Sequence, residues 1–366
     1  MPGIRVLVVD DSVVIRKLVS DLLSADRDIE VIGTAVNGRA ALQKVAQLKP
    51  DIVTMDIEMP EMNGIESVRA IRATGNKVPI IMFSTLTERG AVATLDALAA
   101  GASDYVPKPA NVGSVGRSME QVREALIPRI KSLVPRTGIS PHPAAPSLPS
   151  AAAIKLHAPT PPPFGGYRLL VIGSSTGGPE ALGALLQTLP PLGVPVAVVQ
   201  HMPPLFTRQF AARLDRQLPY DVVEAEHAQP LRPGTVAIAP GDFHLEVASD
   251  ASGLRTRLTQ APPENYCRPA VDVLFRSAVA AVGPAVLAVV LTGMGSDGCK
   301  GARQIVERGG SVLAQDQATS VVWGMPGAVA TAGLAERVLP LRELGPEILR
   351  RLAPQRPTLV PAGATS

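Results

Sequence analysis

Residues 4–11 read IRVLVVDD and residues 51–56 read DIVTMD. Each is a short apolar run that stops abruptly on carboxylates. Runs of this length, without polar alternation, mark strands covered on both faces, as in a parallel sheet. Working outward, a helical pattern covers 14–23, then a strand near 30–35 and a helix near 39–48. The strand at 51–55 ends on Asp56, and a helix follows near 64–73. A strand at 79–83, a helix near 91–100 and a short strand at 104–106 lead to Lys108 and Pro109. A helix near 115–126 closes the unit. Such alternation implies a doubly wound parallel sheet. Right-handed crossovers then bring every strand C-terminus to one edge, where ligands bind.

The alternation stops between 135 and 163, where prolines stand at 135, 141, 143, 146, 149, 159, 161, 162 and 163. Proline removes backbone donors and fixes φ, so this stretch reads as an extended linker. From Tyr167 the alternation resumes. Strands are expected at 168–173, 195–199, 284–291 and 311–316, and helices at 180–189, 207–218, 271–282, 301–308, 326–332 and 345–352. Residues 222–258, with TVAIAP and FHLEVA between Gly and Pro turns, are expected to form hairpins. The expected organisation is therefore a first unit over 1–124, a linker over 125–165 and a larger second unit over 166–366, both of the α/β class with mainly parallel sheets.

Composition supports this. Hydrophobic residues make up 46% of the 366 residues and aromatics only 3%, so the cores are built from Val, Leu, Ile and Ala. Residues 1–124 carry 14 Lys and Arg against 16 Asp and Glu, and residues 166–366 carry 17 against 16. Neither unit is the basic slab that nucleic acid demands, so no nucleic-acid partner is expected. Two cysteines, Cys267 and Cys299, are too few for a disulfide scaffold or a zinc cluster and read as reduced thiols of a cytoplasmic protein. The first residues lead from a short apolar run straight into acids. They suit neither a signal peptide nor a membrane span, and no membrane insertion is expected.

The first unit carries an acidic site. Asp10, Asp11 and Asp56 end two strands and should share one sheet edge. Carboxylates gathered there repel one another and suit a hard cation such as Mg2+. A carboxylate so oriented can attack a phosphoryl donor and form an acyl phosphate. The added charge needs a cation and a hydroxyl, which Lys108 and Ser84 can supply from two other strand ends.

The second unit carries a different chemistry. Gly173-Ser174-Ser175-Thr176-Gly177 fits G-x-S-x-G directly after a strand and before a helix. Small residues allow the sharp turn that exposes a nucleophile and aims N–H groups at an oxyanion. The same turn can also bind phosphate. Position in the motif favours Ser175 over Ser174. A serine needs a base. His142 and His157 lie in the linker, which leaves His201, His227 and His244. His201 ends a buried strand, as Ser175 does. Asp297, in the turn GMGSDG after the apolar strand, can orient an imidazole or cap the following helix. The order Ser, His, Asp differs from that of the α/β-hydrolases, where the acid precedes the histidine.

With Asp10, Asp11, Asp56, Ser84 and Lys108 in this order, residues 1 to about 124 resemble the flavodoxin-like receiver domain of two-component response regulators. Together with IGSSTGGPEAL, VVQHMPPLFTRQFAARL, RPAVDVLF and LTGMGSDG, nearly the whole chain resembles the chemotaxis protein-glutamate methylesterase family, CheB. The resemblance implies Asp56 as phosphoacceptor, with Asp10, Asp11, Asp56 and the backbone carbonyl of Glu58 as the Mg2+ site. It implies Ser84 and Lys108 as phosphate contacts, and it puts Tyr105 at the family's aromatic switch position. In the second unit it implies Ser175 as nucleophile, His201 as base and acid, Asp297 as orienting carboxylate, and the backbone N–H of Thr176 with a donor near Met294 as the oxyanion site. The implied reactions are hydrolysis of γ-glutamyl methyl esters and deamidation of glutamines on methyl-accepting chemoreceptors, with a histidine kinase as phosphodonor and no cofactor for the ester step. Ser84 stands where the family has threonine, and the linker is longer than the family's. Residues 265–272 either line the groove or form a helix-start turn. A non-catalytic binding output, or a serine esterase for another substrate, uses the same residues differently.

Overall fold

The run at 4–9 forms β1 (Ile4–Val9), and the first unit continues through α1 (Val13–Ser24), β2 (Ile29–Ala35), α2 (Gly38–Leu48), β3 (Ile52–Asp56), α3 (Gly64–Ala73), β4 (Ile80–Ser84), α4 (Glu88–Ala99), β5 (Asp104–Pro107) and α5 (Val115–Leu133). The computed structural model describes residues 3–108, 115–134 and 155–353, with the backbone alone for 115–119. The five strands pair in parallel in the order β2-β1-β3-β4-β5. Helix starts follow local chemistry. Ser12, Asn37, Asn63 and Thr87 each accept an N–H from the first turn of α1, α2, α3 and α4, and Glu66 completes a capping box with Asn63. α5 runs past the expected end near residue 126 to Leu133. Pro128 lies on its exposed side, while Leu126, Ile130 and Leu133 stay buried against the sheet. That continued burial favours helix over the kink a proline invites.

The second unit comprises β6 (Leu169–Ser174), α6 (Gly178–Gln187), β7 (Val196–Gln200), α7 (Phe206–Gln217), β8 (Asp221–Glu224), β9 (Thr235–Ile238), β10 (His244–Asp250), β11 (Gly253–Thr259), α8 (Val271–Val282), β12 (Val286–Val290), α9 (Cys299–Glu307), β13 (Ser311–Gln315), α10 (Met325–Thr331), β14 (Arg337–Leu339) and α11 (Leu341–Leu352). Seven strands pair in parallel in the order β14-β13-β12-β6-β7-β9-β8. β6 lies between β7 and β12, so the topology reverses around it. The crevice at such a point is where open α/β sheets bind ligands.

The hairpin expectation holds for β10 and β11, which pair antiparallel. It fails for the segment TVAIAP. β9 pairs in parallel with both β7 and β8, because Val236, Ala237 and Ile238 are fully buried and need a strand on either side. Their connection is covered by β11, with Ala228 N–H donating to Thr256 O and Thr256 N–H to Gln229 O, both at 2.9 Å. Of the proline-rich stretch, residues 135–154, His142 among them, lie outside the described residues. Residues 155–163 form neither helix nor strand and run along the second unit, where His157 N–H donates to Ala335 O at 2.9 Å.

The two units touch. Leu95, Leu98 and Tyr105 of the first and Phe206 and Phe210 of the second belong to one continuous apolar cluster. Tyr105 stacks on Phe206 with ring centroids 4.9 Å apart and planes 4° from parallel, a contact worth about 1 kcal/mol beyond its buried area. Arg213 on α7 donates to Asp96 on α4 at 2.6 Å. No helix among the described residues is long and apolar enough to cross a membrane.

Candidate active site

Ser175 lies at the carboxyl end of β6, in a turn held by two backbone bonds: its N–H donates to Thr292 O at 3.0 Å, and Gly178 N–H donates to its carbonyl at 2.7 Å. Gly177, at φ 73°, makes the left-handed step that starts α6, a conformation costly for a residue with a Cβ. Gly293 packs directly on Ser175, where a Cβ would lie 2.8 Å from that of the serine. The two serines differ sharply. Ser174 is buried, and its hydroxyl donates to Gln200 Oε1 at 2.6 Å. Ser175 is partly exposed, lines a cleft, and its hydroxyl has no hydrogen-bond partner among the described residues.

His201 follows β7, and its Nε2 bonds Asp297 Oδ2 at 2.8 Å. Asp297, in the turn after β12, is almost fully buried. Its carboxylate also accepts N–H groups of Val271 at 2.7 Å, Asp272 at 3.0 Å and Gly298 at 2.9 Å, and Asn265 Nδ2 at 2.8 Å. The first turn of α8 thus points its free N–H groups at the acid, which the helix dipole favours. Burial alone would raise the Asp297 pKa, but His201 and these donors hold it below the usual carboxylate range. For His201, burial acts to lower the pKa, but Asp297 and Cys267 outweigh it and push the imidazole up to about 10. Asp297 takes Nε2, which leaves Nδ1 for proton transfer.

The structure brings Ser175, Thr176 and His201 into one cleft of about 240 Å³, with Asp297 behind the histidine. Thr176 lines the cleft and its N–H donates no hydrogen bond among the described residues, whereas Met294 is not among the residues that line the cleft. Met294 itself is exposed. The competing histidines lie elsewhere. His244 is buried, accepting Ala270 N–H at 3.2 Å, and exposed His227 accepts Leu258 N–H at 3.2 Å. His157 bonds its neighbour Ala158 O at 2.7 Å.

Several functional contacts escaped the sequence reading. Gln200 Nε2 donates to the carbonyls of Ser175 at 3.0 Å and His201 at 3.2 Å, tying nucleophile and base turns together. Asn265 reaches Asp297, and Cys267 reaches His201. Asp104 of the first unit accepts from Thr176 Oγ1 at 2.8 Å and from Arg129 Nε at 3.1 Å. The sequence signals were the polarity of Gln200 beside His201, the acid beside Tyr105 and the segment 265–272, of which Cys267, Arg268 and Pro269 line the cleft and Ala270 precedes α8. The cleft is lined from both sides, with Leu98, Asp104, Tyr105, Pro107 and Arg129 facing the catalytic turns.

The first unit gathers its acids at one sheet edge. Carboxylate oxygens of Asp10, Asp11 and Asp56 lie within 4.8 Å of one another, a hard-oxygen donor set that fits Mg2+. Lys108 Nζ pairs with Asp56 at 2.7 Å and Asp10 at 3.1 Å. Burial raises the Asp56 pKa to about 6, against Lys108 and with help from Asp10. Glu58 and Ser84 border the same pocket. The Ser84 hydroxyl, however, is turned toward α4, donating to Gly90 O at 3.1 Å and accepting from Thr94 Oγ1 at 2.6 Å.

Residues 6–117 match the response regulator receiver domain, and residues 170–348 match the CheB methylesterase family. A protein-glutamate methylesterase/protein-glutamine glutaminase of Nocardioides sp. is 90% identical over 100% of both chains. The protein of that name from Trichodesmium erythraeum is 48% identical, over 96% of this chain and 100% of its own. The crystal structure of the Thermotoga maritima CheB methylesterase catalytic domain matches with a TM-score of 0.50 and 42% identity, covering 50% of this chain and 98% of that one. The two parallel-sheet units agree with the two matched families, and identity of 90% over the full length shows that the chain belongs to the CheB methylesterase family, with a response regulator receiver domain in its first half.

Proposed function

We propose that this chain is a phosphorylation-activated hydrolase of chemotaxis adaptation, acting in the cytoplasm. It removes methyl groups from γ-glutamyl methyl esters of methyl-accepting chemoreceptors and deamidates glutamines on the same proteins. The observation that carries this reading is the 2.8 Å His201–Asp297 pair in the cleft of the unpartnered Ser175 hydroxyl. It is supported by the 90% identity to a relative named for both activities.

Ser175 Oγ attacks the γ-carbonyl while Nδ1 of His201 takes its proton. Asp297 stabilises the imidazolium and keeps the ring in place. The N–H of Thr176 and a donor near Met294 hold the oxyanion. The C–O or C–N bond breaks, His201 protonates the departing methanol or ammonia, and water then releases glutamate from the acyl-enzyme. The division of labour follows the chain: a receiver over 1–124 with α5 extending it, a connecting segment to 165, and the catalytic unit over 166–366.

In this reading the receiver is the gate. A cleft of about 240 Å³ admits a side chain, but a receptor helix is about 10 Å across. Asp104 and Tyr105 hold the two units together at Thr176 and Phe206. A histidine kinase supplies phosphate to Asp56. Mg2+, held by Asp10, Asp11, Asp56 and the carbonyl of Glu58, would neutralise charge there. Lys108 and Ser84 turn to the new phosphoryl oxygens. Lys108 and Ser84 end β5 and β4, so their movement shifts Tyr105 and loosens the seat. Phosphate acts only by favouring the open state over the closed one.

The test is incubation with receptor membranes carrying tritiated methyl esters. Volatile label released as methanol supports the reading, and membranes that keep their label while a simple ester is cleaved move the substrate elsewhere. Asp56→Asn should lose all labelling by a small phosphodonor in Mg2+, since an amide forms no acyl phosphate. Intact-mass measurement checks this, and phosphate that persists would move the acceptor to Asp10 or Asp11.

A further inference from the structure

His201 has two nitrogens, and Ser175 holds neither. Nε2 belongs to Asp297 at 2.8 Å, and Nδ1 faces Cys267 Sγ at 3.6 Å. No hydrogen bond joins Ser175 to His201 among the described residues, although both line one cleft with Cys267. The thiol is delivered by a tight turn. Glu264 and Cys267 exchange both backbone bonds, at 3.1 and 2.9 Å, around Asn265 and Tyr266 at φ 52° and 63°. Left-handed φ at two successive non-glycine residues costs energy that the surroundings must offset. Asn265 Nδ2 provides part of that, donating to Asp297 at 2.8 Å and Asp272 at 2.9 Å. One turn thus grips the acid of the triad with one flank and the base with the other.

We propose that Cys267 is a positioning residue for His201: with the receiver seated, its thiol occupies the Nδ1 edge and keeps the base from Ser175, so the triad is disarmed as well as covered. The inference rests on the reading of His201 as the base. The charged and titratable groups around the imidazole are Asp297 and Cys267 from the second unit, Arg268 beside the turn, and Asp104, Tyr105 and Arg129 from the receiver. Arg268 is engaged by Asp242 at 2.5 Å, and Arg129 by Asp104. Asp297 and Cys267 are therefore the partners that favour imidazolium, and only Cys267 does so at the nitrogen catalysis needs. A base must be neutral, so imidazolium stabilised there lowers activity at neutral pH. Removing the thiol should move proton loss by His201 to lower pH.

The test uses the full-length, unphosphorylated protein as wild type, Cys267→Ala and Cys267→Ser. NMR of isotopically labelled histidine follows the His201 midpoint, independently of any substrate. Cys267→Ala should lower that midpoint by about one unit or more while the Nε2 proton shared with Asp297 keeps its chemical shift, whereas general loosening of the fold would lower the midpoint only with loss of that shift. Ser175 modification by a small fluorophosphonate is the second readout. The Oγ–P bond forms, fluoride leaves and the proton passes to His201, and the rate at neutral pH should rise about tenfold in Cys267→Ala. Cys267→Ser, which keeps a hydroxyl near Nδ1, should fall between the two in both readouts and serves if the alanine variant melts early. An unchanged or raised midpoint overturns the proposal, whatever the rate does. If no form reacts at Ser175 or releases methanol, it is the esterase reading that fails, and the midpoint still decides the role of Cys267.

Discussion

Ser175→Ala is expected to lower methanol release by a factor on the order of 10⁴ or more while leaving the fold unchanged. The two halves of this expectation have separate causes. The hydroxyl is the nucleophile of the proposed acyl-enzyme, and the neighbouring serine does not replace it: Ser174 is buried with its hydroxyl committed to Gln200. The Ser175 hydroxyl makes no hydrogen bond among the described residues, so its removal should change stability by less than about 0.5 kcal/mol. Ser174→Ala should do the reverse, costing about 1 kcal/mol by leaving Gln200 Oε1 without its donor and sparing most turnover. Initial rates on labelled membranes and thermal melting of both variants check this. Turnover of Ser175→Ala within about tenfold of wild type would remove Ser175 from the mechanism.

His201→Gln should be nearly as damaging, because without a base the serine hydroxyl stays protonated. A loss on the order of 10⁴ or more is expected, with Asp297→Asn about tenfold to a hundredfold milder in turnover. The structure adds a second consequence for Asp297→Asn. All of its partners are donors: His201 Nε2, three backbone N–H groups and Asn265 Nδ2. An amide nitrogen placed among them accepts nothing and sets donor against donor. The milder lesion in activity should therefore be the worse one in stability, by about 2 kcal/mol or more. Rates and melting measured together separate the two variants. If His244→Gln or His227→Gln abolishes turnover instead, the base is misassigned.

The sequence carried the sheet units almost intact. Strands such as IRVLVV and RLLVIG are buried on both faces and show it as unbroken apolar runs, and the capping residues Ser12, Asn37 and Asn63 mark where helices begin. The short strands were less legible. β9 has the length and turn residues of a hairpin arm, and only its neighbours in the sheet make it parallel. β14, three residues long, carried no periodicity at all. In the site, Ser175, His201 and Asp297 could be placed near one another because each lies in the turn that follows a strand of one parallel sheet, and the topology brings those turns to one edge. The segment 265–272 could be placed near the groove, but the contacts of Asn265 with Asp297 and of Cys267 with His201 could not, because the turn that aims them depends on left-handed backbone that no local motif announces. Asp104 was hidden for another reason. Its bond to Thr176 exists only once two folded surfaces meet, and a contact of that kind leaves no pattern in either unit alone.

The central claim is that a serine esterase is held shut by a receiver and opened by phosphate on Asp56. Its most direct test is initial methanol release from methyl-tritiated receptor membranes by the full-length protein with Mg2+, with and without a small phosphodonor, and with Asp56→Asn as control. The account predicts a rise of about tenfold or more on phosphorylation in the wild type and none in Asp56→Asn. Equal release with and without phosphodonor, in protein shown by mass to be phosphorylated, would contradict it.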